Sequence, residues 1–166
     1  MIQNFLVVRN NGLKTVPGEF VESVPILEQI NNPAFHPKAY EWESDGRTYT
    51  LPVDGIDTLT TELLPDGSGI IVLQNEHVHG SDNVVILTPS NEVHQRIINP
   101  YRASKYFMAG DRFCFDAIKR SADHPILNIQ VQRKRPGKEH DALPIYEASY
   151  DPATWQLVKL EWKPWT

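Results

Sequence analysis

On either side of Asp45-Gly46, apolar and polar positions alternate with the period of two that a pleated strand imposes. Asp-Gly supplies the positive φ angles of a two-residue type I′ turn, so the two segments read as a β-hairpin whose register the turn fixes. Ser44 then faces Arg47, Glu43 faces Thr48, Trp42 faces Tyr49, Glu41 faces Thr50 and Tyr40 faces Leu51. One face is aromatic and suited to a core, where cross-strand pairs of this kind add roughly 0.2–1 kcal/mol each. The other face carries Glu41 and Glu43.

The same reading extends along the chain. Residues 5–9 have strand character and end at the turn signal Asn10-Asn11-Gly12. Ser23 is placed to cap a short helix with Pro25 in its first turn; Leu27 and Ile30 give it one apolar face before Asn31-Asn32-Pro33 stops it. Residues 58–64 are ambiguous, with Leu59, Leu63 and Leu64 suggesting one or two helical turns closed by Pro65-Asp66-Gly67. The all-apolar run 70–73 predicts a buried strand, and 84–87 returns antiparallel to it after a turn at Gly80-Ser81-Asp82-Asn83. Thr88-Pro89 predicts a helix start, with Val93, Ile97 and Tyr101 on one face, a kink at Asn99-Pro100 and a continuation through Phe107. Clean alternation returns at 112–119, where Phe113, Phe115 and Ala117 oppose Cys114, Asp116 and Ile118. It recurs at 126–133, with Leu127, Ile129 and Val131 inward and Asn128, Gln130 and Gln132 outward. Residues 145–150 and 155–162 form a last hairpin around Asp151-Pro152-Ala153-Thr154. The expected fold is α+β: a mostly antiparallel sheet of about six to nine strands with two or three short helices, in a single domain over residues 1–166.

Composition supports this. A chain of 166 residues buries enough surface for one core, and thirteen prolines favour many short elements over long helices. Cys114 is the single cysteine, so no internal disulfide forms, and a reducing, cytoplasmic location is expected. The N-terminal apolar run is too short for a signal peptide, and no stretch is long enough to cross a membrane as a helix. The net charge is −5, which disfavours nonspecific nucleic-acid binding. Its distribution is uneven. Residues 41–66 hold seven acids (Glu41, Glu43, Asp45, Asp54, Asp57, Glu62, Asp66) against the single base Arg47, so this stretch alone is −6 and the remainder is close to neutral.

Candidate chemistry is sparse. In a strand, His77 and His79 of Glu76-His77-Val78-His79-Gly80 point to one face and suit two metal contacts through neutral imidazoles. A catalytic zinc takes a third protein ligand, for which Asp82, His36, His94, His124 and His140 are the candidates, and no spacing selects among them. The simpler reading is a pair of exposed histidines near a strand end. Cys114, between Phe113 and Phe115, reads as a small buried thiol rather than a nucleophile. Ser90, Ser104 and Ser121 lack the Gly-x-Ser-x-Gly context of a strained nucleophile turn. The basic stretch 133–138, followed at once by Glu139 and Asp141, reads as a solvated loop rather than a phosphate site. No cofactor is expected.

The acidic run carries the functional expectation. Seven carboxylates on and beside a rigid hairpin create a concentrated negative field that steers a basic partner, with Tyr40 or Trp42 as an aromatic anchor if one rim is exposed. In this acidic hairpin region, in its compact β-rich pattern and in its lack of a catalytic signature, the chain resembles the small cytoplasmic immunity proteins of bacterial toxin systems, including those of contact-dependent growth inhibition. The resemblance implies a stoichiometric inhibitor of one cognate basic toxin domain, for instance a nuclease, with no chemistry of its own and no direct contact to nucleic acid or membrane. Two competitors stand beside it: a metal-dependent hydrolase built on His77 and His79, and a structural module pairing through the edge of residues 155–162.

Overall fold

The computed structural model describes residues 1–101, 111–119, 126–133 and 145–163. Among them are twelve strands in three antiparallel sheets of four. The first sheet holds β1 (Gln3–Arg9), β2 (Lys14–Thr15), β3 (Pro37–Ser44) and β4 (Arg47–Pro52) in the order β2-β1-β3-β4. Between β2 and β3 the chain forms a short helix α1 (Ile26–Asn31) and a 3-10 turn (Pro33–Phe35). The second sheet is a meander of β5 (Thr60–Leu63), β6 (Ile70–Leu73), β7 (Val84–Leu87) and β8 (Val93–Ile97), with a helical turn α2 (Glu76–His79) between β6 and β7. The third is a meander of β9 (Asp111–Lys119), β10 (Ile126–Arg133), β11 (Ile145–Tyr150) and β12 (Leu157–Lys163).

The second sheet is the middle layer. Ile70, Val72, Val85 and Leu87 pack with Phe5, Val7, Tyr40 and Trp42 of the first sheet. The alternate residues Ile71, Leu73, Val84 and Ile86 pack with Phe113, Phe115, Leu127 and Ile129 of the third. All eight positions of β6 and β7 are therefore buried, which is why these strands are unbroken apolar runs while their neighbours alternate. Gly69 stands at the entrance to β6, where a Cβ would meet the Leu87 carbonyl oxygen at 2.7 Å. Asn83 makes a fully buried polar link through this packing. Its Nδ2 donates to the Gln74 and Phe115 carbonyls at 2.9 and 2.8 Å, and its Oδ1 accepts from the Phe115 amide at 2.9 Å. One amide thus ties the middle sheet to β9.

The architecture is mostly β, and the helical component of the expected α+β fold shrinks to single turns. Residues 58–64 resolve as strand β5, whose Leu63 faces the first sheet and whose neighbour Leu64 faces the third. The helix expected from Thr88-Pro89 is absent. Asn91 takes φ +64°, and Thr88 accepts from Asn91 and donates to Glu92 through its backbone, closing a hairpin loop into β8. The four-residue spacing of Val93 and Ile97 fits both the helical and the extended period, so pairing with β7 decided it. Its expected continuation to Phe107 lies outside the described residues, as do Ser104, Ser121, His124, His140 and the basic loop after Arg133.

Helix α1 forms where expected but is turned over. Pro25, not Ser23, occupies its N-cap, and the buried residue is Gln29, 3% exposed, while Leu27 and Ile30 are 73% and 54% exposed. The Gln29 side chain accepts from the Val21 amide and donates to the Val21 and Val24 carbonyls, which satisfies the turns of the preceding loop.

Replacing Asn83 by Ala strands the Phe115 amide and two carbonyls in a dry interior. Each such group costs about 1–3 kcal/mol, so Asn83→Ala is expected to lower unfolding free energy by about 3 kcal/mol in urea titrations, well beyond an ordinary surface substitution.

Candidate functional site

The hairpin β3–β4 has the register its turn dictates, from Ser44 opposite Arg47 to Tyr40 opposite Leu51, with Asp45 at φ +50° and Gly46 at +71°. Its aromatic face packs on the core, with Tyr40 and Trp42 buried and Tyr49 and Leu51 half-buried. Trp42 is 0% exposed, stacks on Tyr49 at 5.9 Å and donates its indole N–H to the Pro89 carbonyl at 2.8 Å. Tyr40, 5% exposed, stacks on Phe5 at 5.7 Å. Neither presents a rim, so Tyr40 and Trp42 drop out as anchors for a partner: the middle sheet claims the face they occupy.

The acids divide into groups with different work. Asp54 Oδ1 accepts from the amides of Ile56, Asp57 and Thr58 at 2.9, 2.8 and 3.1 Å, and those bonds, that of Ile56 foremost, hold its carboxyl below the ordinary value of 3.8. Asp66 accepts from the hydroxyl and amide of Ser68 and is lowered for the same reason, the hydroxyl contributing most. Both shape loops. Glu41 pairs with Lys14 at 2.5 Å on the outer face of the first sheet, and Glu43 beside it accepts from Asn4 at 3.0 Å. Asp45 sits in the hairpin turn, Glu62 lies on β5, and Asp57 meets His79 Nε2 at 2.9 Å.

These positions do not form one undivided patch. Asp45 and Glu43 share the turn end of the hairpin with Asp66, whose neighbour Gly67 accepts from the Ile2 amide. Asp54 and Asp57 stand at the opposite end of β4, about 20 Å away for a six-residue strand. Glu41 lies between them.

The histidine pair is also rearranged. Asn75 accepts from the His77 amide through its side chain and Gly80 ends the turn at φ +71°, so residues 76–79 close into a helical turn instead of extending. In a helix, positions two apart diverge by roughly 200°. His77 accordingly lies 3.5 Å from Glu76 and His79 lies against Asp57. His36 contacts the Ile30 carbonyl elsewhere, and Asp82 accepts from the Asn99 amide. Among the described residues, no three His, Cys, Asp or Glu side chains gather as a metal site. Cys114 is buried, and burial, with Glu76 and Asp116 nearby, pushes its thiol up to about 12. Ser90 shares its hydroxyl with Thr88 at 3.0 Å.

An open cleft of about 380 Å³ lies between the β7–β8 loop and the β11–β12 turn, lined by Leu64, Asp66, Ser68, Thr88, His94 and Trp155. Its carboxylate is the one already committed to Ser68. The surface feature that the pattern did not foretell is the outward apolar face of α1, in a segment, residues 15–35, that holds Glu19, Glu22 and Glu28 and no Lys, Arg or His.

The described residues define a mostly β protein built of three antiparallel sheets. No protein-family model matches the chain, and no curated protein matches it. Among solved structures, the fold is similar to a chain in the structure of Tne2 in complex with Tni2, with TM-score 0.64 and 14% identity over 99% of this chain and 100% of that one.

Two outcomes follow. Asp54 and Asp66 titrate lower in the folded state than in the unfolded chain, so their stabilisation is present above 3.8 and is lost as pH falls through the folded values. Wild-type Tm is therefore expected to fall more steeply between about pH 5 and 2 than that of Asp54→Ala/Asp66→Ala, the two curves converging in acid. Cys114 is expected to resist a thiol reagent at pH 8 in the native protein and to react fully in urea; rapid native labelling would contradict its burial.

Proposed function

We propose that this chain is an immunity protein that binds a cognate toxin domain one-to-one and neutralises it without chemistry of its own. The observation that carries the reading is the end-to-end fold match to a chain from a solved complex of two proteins, Tne2 with Tni2. The charge distribution supports it: Glu41 and Glu43 stand on the outside of a hairpin whose inner face packs on the core, and Asp57 lies in the loop that follows β4. This distribution favours a basic partner, and carboxylates placed where phosphates would approach suit a nuclease toxin in particular. Contact-dependent growth inhibition is the delivery system proposed, and the cytoplasm the compartment in which the toxin is met.

The test is co-purification with the product of the neighbouring gene. A one-to-one complex whose association slows steeply with ionic strength, and protection of cells expressing that product, are the expected results. Charge reversal at Glu43 and Asp57 together should slow association by about tenfold at low salt while Tm changes little, because both are exposed, whereas Glu41 is half-buried against Lys14. Unchanged association kinetics would remove the hairpin from the interface.

A further inference from the structure

We propose that the outward face of α1, with the segment leading into it, is the surface on which the basic partner docks; this rests on the immunity reading above. A six-residue helix on a small β protein ordinarily turns its aliphatic residues inward. Here Gln29 is inside, bonded three times to the loop 21–24, and Ile26, Leu27 and Ile30 are outside. Leu27 and Ile30, three apart, stand side by side on the surface, as do Ile26 and Ile30. Val16 and Phe20, about half-exposed, extend the aliphatic and aromatic surface N-terminal to them in the chain.

This face is held firmly. Arg9 donates to the Phe35 carbonyl at 2.6 Å, to the Glu19 carbonyl at 2.9 Å and to Thr15 Oγ1 at 3.1 Å, clamping three points of the 15–35 segment to the end of β1. Asn10 and Asn11 bond to Pro33 and Ala34 in addition. A clamped apolar surface loses little conformational entropy when it is covered, which favours binding.

Charge selects the occupant. Glu19, Glu22 and Glu28 are all exposed in the same segment as these apolar side chains, and residues 15–35 hold no Lys, Arg or His of their own, Arg9 being bonded into the segment from β1. Two copies of the chain meeting through this face would oppose two sets of three carboxylates, an arrangement that repels. A partner with Lys or Arg around an apolar centre is complementary on both counts. The division of labour follows interface anatomy: Leu27 and Ile30 are the desolvated centre, and the glutamates are the polar rim that sets the rate of encounter.

The experiment titrates the purified product of the neighbouring gene into wild-type protein, Leu27→Lys/Ile30→Lys and Glu22→Lys/Glu28→Lys. The aliphatic pair is expected to weaken binding by about tenfold or more, chiefly through faster dissociation, and the glutamate pair to slow association at low salt. Tm verifies folding, and Leu27→Gln/Ile30→Gln replaces the lysine variant should that one unfold. If wild-type protein does not bind, the immunity reading falls and the docking face falls with it. If wild-type binds and the α1 variants bind within about twofold of it, the docking face is wrong and the immunity reading stands. If the protein alone sediments as a dimer that Leu27→Lys/Ile30→Lys dissociates, a second copy covers this face and the basic-partner assignment is overturned.

Discussion

Burial of one short sheet on both faces organises this molecule. β6 and β7 contribute four residues each, and every side chain is inside, alternate positions serving opposite layers. A sheet so placed needs two covers, and the chain supplies them from its two ends: residues before β5 form one, residues after β8 the other. The layers come close enough that Gly69 tolerates no Cβ against Leu87, and an asparagine with no exposure bridges to β9 where the backbone would otherwise be orphaned. Close packing of this sort makes the interior intolerant and leaves variation to the exterior.

That constraint also apportions function. In an aromatic hairpin that covers the middle sheet, Trp42 and Tyr40 hold the fold and Tyr49 is half-buried beside them, while Glu43 on the reverse face is exposed. Two further carboxylates, beyond the hairpin, serve loops. Asp54 and Asp66 each organise a turn by accepting amide hydrogens, which fixes their geometry and lowers their affinity for protons. The acids that remain on rigid strands and the apolar α1 face lie on the same first sheet and its β2–β3 connection, the part of the molecule remote from the third layer.

Much of this was readable from local pattern. The Asp-Gly turn set the hairpin register residue for residue, the unbroken run 70–73 announced a buried strand with 84–87 returning antiparallel to it, and the alternation of 112–119 and 126–133 announced strands, although Asn128, expected outward, is buried, as is Cys114 between Phe113 and Phe115. Each depends on neighbours in sequence, on turn dihedrals or on side-chain period, and these act before the chain has a tertiary environment.

What the sequence left open are positions where two local solutions are close in energy and hydrogen bonds that no side-chain period records chose between them. Val93 and Ile97 fit a helix or a strand until β7 offered hydrogen bonds; His77 and His79 shared a face only if the chain stayed extended, and an Asn75 cap with Gly80 closed it instead. The orientation of α1 was undecidable for the same reason, because whether Gln29 or Leu27 faces inward depends on unpaired backbone groups at Val21 and Val24 that no periodicity records. Sequence determined the strands, their turns and the local excess of negative charge. Tertiary structure alone decided which sheet lies in the middle, which acids are left for a partner and which side of a short helix meets solvent, since hydrogen-bond satisfaction and burial are properties of the assembled layers.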